Sequence, residues 1–207
     1  METTADAEFI RRSIMSEKSV RAEKVIEALK KRGFEALYAE TKAEAVEKAL
    51  ALMPAKSSVA WGGSVSVVES GLLEKVKAGD YVLIDRDTAK NPEERMELMR
   101  KSLTSDIFLT SFNAVSEDGV LFNIDGNGNR VAAITFGPKS VVALVGMNKL
   151  VASEADLEKR ALTVAAPKNA KRLNVEEKDI CAIFVKTRIC KFKGRVKIVL
   201  CGEELGY

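Results

Sequence analysis

The chain has 207 residues, 46% hydrophobic and 30% charged, enough for one sizeable core. Its 33 basic and 30 acidic residues leave a net charge of +3, without the concentrated positive face that a phosphate backbone demands, so no nucleic acid partner is expected. No apolar stretch approaches a membrane span and the first residues are acidic where a secretory signal would be basic, so the expected location is cytoplasmic, with no membrane partner.

Histidine is absent, which removes Ser-His-Asp and Cys-His nucleophile activation and imidazole metal ligation. The three cysteines, Cys181, Cys190 and Cys201, form no CxxC pair, so reduced thiols and neither a metal nor a cofactor are expected. Chemistry is left to carboxylates, lysine, arginine and hydroxyls.

In chain order, residues 9–31 place Phe9, Ile10, Ile14, Val25, Ile26 and Leu29 at roughly helical spacing, closed by Gly33. Ser13, Ser16 and Ser19 interrupt the pattern. Either one helix or two is expected, the first of two packing on a partner chain. Residues 1–32 are thus read as an N-terminal helical segment and a route to a homo-oligomer, and residues 33–207 as a single α/β domain. Residues 34–39 read as a strand, and Thr41 with Glu44 as a capping box opening a helix over 43–52. Residues 58–61 form a strand that runs into Gly62-Gly63-Ser64, after which Val67, Val68, Leu72, Leu73 and Val76 take up helical spacing. A strand, a glycine turn and a helix N-terminus aim free backbone N–H groups at one point, which suits a phosphate or carboxylate.

A strand over 81–85 follows, then a helix over 93–103 opened by Asn91-Pro92-Glu93-Glu94, and a strand over 107–110. Residues 120–124 read as a hairpin partner and 141–145 as a buried strand. Residues 154–166 are expected to be helical, 167–174 a turn, 180–185 ambiguous and 196–200 the final strand. The alternation predicts an α/β fold, a Rossmann-like, mostly parallel sheet with helices on both faces.

Three groups of residues carry candidate chemistry. Gly62, Gly63 and Ser64, with Glu69, make the first, although glycine at such a junction also serves tight packing. Ser111, Asn113, Glu117, Asp118 and Asn123 make the second, at the carboxyl end of a strand where open α/β sheets line their crevices. Asp-Gly at 118–119 is equally a hairpin turn. Asp125, Asn127, Asn129 and Arg130 make the third and densest, with more hydrogen-bonding side chains than a turn needs. A calcium loop is the minor alternative there, lacking the twelfth-position glutamate. Lys139 and Lys149 sit at the two ends of the 141–145 strand, and either one, if desolvated, suits an anion anchor or proton carrier.

These strings resemble the lactate-utilisation (LUD-domain, LutC-like) family. The likeness rests on Trp61-Gly62-Gly63-Ser64 with Glu69 and Gly71, on the run from Asn113 to Gly119, on Asn123-Ile124-Asp125-Gly126 and Gly128-Asn129-Arg130-Val131-Ala132-Ala133, and on Phe136-Gly137-Pro138-Lys139. Gly146-Met147-Asn148-Lys149, Ala165-Ala166-Pro167 and the closing Gly202-Glu203-Glu204-Leu205-Gly206 continue it. The resemblance implies a NagB/RpiA/CoA transferase-like fold, that of the ribose-phosphate isomerase and CoA-transferase superfamily. It also implies a role linked to L-lactate oxidation beside iron–sulfur partner subunits. Similar members carry a cysteine-rich stretch before the last strand, where this chain keeps only Cys181 and Cys190 and inserts charged residues.

Two functions are consistent with these residues. One is an accessory or ligand-binding subunit of the lactate-utilisation type, holding a small anionic metabolite among Gly62, Gly63, Ser64, Glu69, Asn113, Asn123, Asn127, Asn129 and Arg130. The other is an enzyme in which Glu117 or Asp125 acts as base or nucleophile and Lys139 or Arg130 stabilises developing negative charge.

Overall fold

The computed structural model describes residues 17–207. Its centre is strand β7 (Ser140–Gly146), whose residues after Ser140 are all buried. Successive side chains on a strand point to opposite faces. Val141, Ala143 and Val145 accordingly join the core under helix α1 (Glu17–Lys31), with its Ala22, Val25, Ile26 and Leu29. Val142 and Leu144 join the core on the other face. A strand covered on both faces must be continuously apolar, as this one is.

The remaining strands of the main sheet are β1 (Glu35–Ala39), β2 (Ser58–Trp61), β3 (Val82–Ile84), β4 (Ile107–Thr110) and β10 (Val196–Cys201). All six are parallel, in the order β1-β10-β7-β4-β2-β3. On the second face lie α2 (Lys42–Ala51), α3 (Val65–Glu69) and α4 (Leu72–Ala78), packed on Trp61, Ile107, Leu109 and Val199. Helix α5 (Pro92–Ser102) and helix α6 (Asn129–Thr135) return to the α1 side of the sheet's other half, where Ala133 packs with Ala60, Ile84 and Phe108. The expected parallel α/β architecture is the observed one.

Two helix starts show how local chemistry sets the boundaries. Thr41 Oγ1 accepts from Glu44 N at 3.2 Å, while the Glu44 carboxylate reaches back to Glu40 N at 2.7 Å. Asn91 and Glu94 repeat the pattern, with Glu94 accepting from Lys90 N. Each box closes one residue further out than the standard motif, yet it still satisfies donors that the first helical turn leaves free.

A second, four-stranded sheet has the order β8-β5-β6-β9. Strands β5 (Ala114–Ser116) and β6 (Leu121–Asp125) form the expected hairpin, with Ala114 opposite Phe122. Strand β8 (Leu150–Val151) runs parallel to β5, and β9 (Ile183–Thr187) supplies the antiparallel edge beside β6. Helix α7 (Leu157–Arg160) covers this sheet through Leu157, with Ala161 of the wide turn Ala161–Ala165.

Two expectations change and a third falls beyond the described residues. Residues 9–16 of the predicted first helix lie outside the described residues. The stretch read as a turn over 167–174 is helix α8 (Ala166–Leu173), because Pro167 falls in the first turn, where its missing N–H is no loss. The helix predicted after Ser64 is two short ones, α3 and α4, parted by Gly71 at φ 81°.

Candidate functional site

Parallel strands all present their carboxyl ends to one side, and there the chain leaves the main sheet repeatedly. Gly62 to Ser66 follow β2, Arg86 follows β3, Ser111 to Asn113 follow β4, Lys149 follows β7, and Tyr207 ends the segment after β10. All of these line one cleft of about 450 Å³, within the usual size range of small-molecule pockets. Asp125 to Arg130 form a second wall, and Asn169, Arg172 and Asp179, from α8 and the short α9 (Glu177–Ile180), form a third.

Of the residues singled out from the sequence, Gly62, Gly63, Ser64, Ser111, Asn113, Asp125, Asn127, Asn129, Arg130 and Lys149 reach this cleft. The three segments Gly62 to Ser64, Asn113 to Glu117 and Asp125 to Arg130 meet at the cleft, the middle one through Asn113 alone. Five others stand elsewhere, beginning with Asp118, which pairs with Arg32 at 3.2 Å. Glu117 is held outside by Arg21, whose Nε donates to Oε1 at 2.7 Å. Lys139 precedes β7 and so lies at the opposite, amino end of the sheet, 80% exposed and paired with Asp106 at 2.8 Å. Asn123 is buried in β6 opposite Val185, and Glu69 accepts from Gly206 N at 2.9 Å, fastening the closing segment. Asp125 lines the cleft, but its Oδ2 accepts from Arg130 N and Val131 N at 3.0 and 3.1 Å. It therefore caps α6, which leaves that oxygen engaged rather than free as a base or nucleophile.

The dominant feature of the cleft is positive charge. Arg130 Nη2 donates to Asn113 Oδ1 at 3.1 Å and to the Ile124 carbonyl, which turns the guanidinium inward. Burial works against its charge, Asp125 offsets part of that penalty, and Arg86 adds to it. Arg86 is likewise pushed down by burial and then by Arg95, with Arg172 contributing, while Asp87 and Asp125 oppose. A Cβ placed on Gly63 would stand 3.3 Å from Arg86 Nη2, a tight approach, and 3.7 Å from Arg172 Nη2, an ordinary contact, so both guanidinium groups lie against this turn. Arginine stays protonated in proteins. Among the described residues, none of Arg86, Arg130 and Arg172 has a carboxylate within ion-pair distance.

Among the described residues, three buried polar atoms of the lining have no hydrogen-bond partner: Ser64 Oγ, Arg86 Nε and Tyr207 Oη. Buried polar atoms are normally satisfied, so orphans gathered around one cavity point to groups a ligand completes. Beneath them lies Lys149, 3% exposed, its Nζ 2.7 Å from Ser66 Oγ and 3.0 Å from Ser111 Oγ. Burial first, then the Arg160 and Arg130 charges, push Lys149 down to about 7, with Glu69 opposing. Arg160 in turn donates to the backbone carbonyls of Asn113 and Asn148, tying the loop after β4 to the turn after β7.

Sequence reasoning missed Arg86, Arg172, Ser66 and Tyr207 and left Lys149 level with Lys139. The polarity of a parallel strand would have separated the two lysines, since only Lys149 follows one. Among the described residues no cluster of three or more acidic or cysteine side chains could hold a metal ion. Cys190 and Cys201 are buried and Cys181 is half-buried.

An open parallel sheet with a cation-lined cleft at its strand carboxyl ends defines an α/β protein of the Rossmann-like class. Within that class the chain belongs to the LUD domain family, whose model matches residues 22–201. The fold is similar to that of a DUF162 family protein from Deinococcus radiodurans, at 12% identity over 91% of this chain and 100% of that one, with a TM-score of 0.55. No curated protein matches the chain. No helix among the described residues is long and apolar enough to cross a membrane.

Proposed function

We propose that the chain is a ligand-binding LUD-domain protein of the lactate-utilisation type, and that its cleft holds a small metabolite bearing more than one negative charge. The observation that carries this reading is the convergence of Arg86, Arg130 and Arg172 on one cleft without a carboxylate partner among the described residues. Three like charges brought together repel one another, and a folded chain tolerates this where a bound anion offsets the repulsion. Arginine forks match carboxylate and phosphate oxygens in pairs. A phosphorylated acid, a diphosphate or a polycarboxylate thus suits the cleft better than a single carboxylate such as lactate. Iron–sulfur partner subunits and a homo-oligomer through the N-terminal helix remain part of this proposal as partners.

The test is calorimetry with L-lactate, citrate, inorganic pyrophosphate, sugar phosphates and CoA esters, each at low and high salt. The multiply charged compounds are expected to bind, more weakly as salt rises, and Arg172→Gln is expected to weaken them. No heat from any compound, or affinities indifferent to Arg172, would remove the anion reading.

A further inference from the structure

Beneath the arginines sits a second arrangement that anion binding does not use. Lys149 is sequestered from water, it has no carboxylate partner among the described residues, and its amine touches two hydroxyls that both line the cleft. The two serines differ. Ser66 Oγ donates to the Leu205 carbonyl at 3.1 Å, so its only proton is committed and it meets Lys149 as an acceptor. Ser111 Oγ has Lys149 as its hydrogen-bond partner, so its proton is free to point at the amine. With one N–H directed to Ser66, the lone pair of a neutral Lys149 is left facing Ser111.

We propose that Ser111 and Lys149 form a serine–lysine dyad that cleaves an ester or thioester of an anionic acyl substrate, with Ser111 as nucleophile, Lys149 as proton carrier and Ser66 as positioning residue. The proposal rests on the cleft being the ligand site. Lys149 Nζ takes the Ser111 hydroxyl proton as Oγ bonds to the carbonyl carbon. The tetrahedral oxyanion then expels the alcohol or thiol, which leaves with the proton from the Lys149 ammonium. Water repeats the sequence on the acyl-serine, giving up a proton to Nζ, and Ser111 recovers one as the acid departs. No electrons are exchanged and no further reactant is required. Burial that disfavours the ammonium is what gives the amine its basic form near neutrality, the same device that activates lysines elsewhere.

The experiment is labelling of the purified chain with diisopropyl fluorophosphate from about pH 6 to about pH 9, followed by peptide mapping. One adduct on Ser111 is expected, forming faster as pH rises through about 7 and then levelling. Ser111→Ala should abolish it. Lys149→Arg, which keeps a positive charge but does not give up its proton, should slow it by about a hundredfold or more. Lys149→Met provides the same comparison should arginine prove too large for the site, and circular dichroism establishes that each variant is folded. Ser66→Ala should move the midpoint of the pH profile, which a purely structural serine would not do. An adduct on any other serine, no adduct at all, or undiminished labelling in folded Lys149 variants would overturn the dyad. A wild-type chain that binds pyrophosphate and is never labelled would overturn the dyad alone. One that is labelled at Ser111 but binds no anion would overturn the anionic cleft instead.

Discussion

Replacing Lys149 by methionine is expected to stabilise the protein at neutral and lower pH. The lysine is 3% exposed, so solvent screening gives it little relief. Burial pushes it from 10.5 down to about 7. A base whose folded value lies below its unfolded value weakens the fold most when both states would otherwise be charged, here below about pH 7. That penalty fades as pH climbs towards 10.5, where the unfolded lysine also loses its proton. The gap between the two values corresponds to about 4 to 5 kcal/mol at pH 7 and below. Methionine fills a similar, unbranched volume. Against the gain stands the loss of the contacts to Ser66 and Ser111, about 1 to 3 kcal/mol for hydroxyls left unsatisfied. A net stabilisation of about 1 to 4 kcal/mol at pH 6.5 is therefore expected, shrinking or reversing by pH 9.5. Urea denaturation of both chains at those two pH values, in buffer free of phosphate and carboxylates, measures it. If the methionine variant were the less stable at pH 6.5, or if the difference did not change with pH, Lys149 would have to be well accommodated as an ammonium, and the argument would fail.

Arg130→Lys keeps a charge but loses the planar guanidinium, which is held in place through Nη2 by Asn113 and the Ile124 carbonyl. Calorimetry should show affinity for a multiply charged anion falling by about 1.5 to 3 kcal/mol, the worth of a charged hydrogen bond. Equal affinity would take Arg130 out of the site. Asp106 is held well below the usual carboxylate range by Lys139, then by the Ser58 hydroxyl and amide. Its contribution is fully present above that range and disappears as pH falls through it and below. Asp106→Asn should thus melt lower than wild type at neutral pH, with the gap closing in acid, and a gap constant with pH would contradict this. Gly119 has φ +86°, and a Cβ there would lie 2.8 Å from the Ala28 backbone of α1. Gly119→Ala should cost about 2 kcal/mol or more from the left-handed strain and the displaced helix, and a thermal midpoint within about 2 °C of wild type would show that α1 yields easily.

How far the sequence could be read depended on whether the signal was local. Thr41 and Asn91 announce their helices because a cap is decided within four residues, and the apolar run at 141–145 announces a strand buried on both faces. Gly62, Asn113 and Arg130 were legible because unusual glycine and asparagine density marks backbone that must bend sharply at strand ends. Arg86 and Arg172 were not, since a lone arginine looks the same whether it faces water or a cavity, and only the fold brings both to Gly63. Glu117 misled for the opposite reason. It stands among site residues in sequence, but the hairpin turn carries it outward to Arg21. Lys139 misled through proximity to one end of a strand when the chemistry gathers at the other.

Strands β7 and β10 lie side by side, Val141 beside Val196, yet everything from Met147 to Arg195 is threaded between them along the chain. That excursion supplies Lys149 at its start and Asn169, Arg172 and Asp179 further on, then passes through β9 and returns to the opposite, amino end of the sheet, where β10 begins beside Val141. The distal wall of the cleft thus comes from one continuous excursion of the chain. A change in its length or composition would alter what the cleft accepts, while the hydrogen-bonded register of the six parallel strands, none of which it contains, would stay as it is.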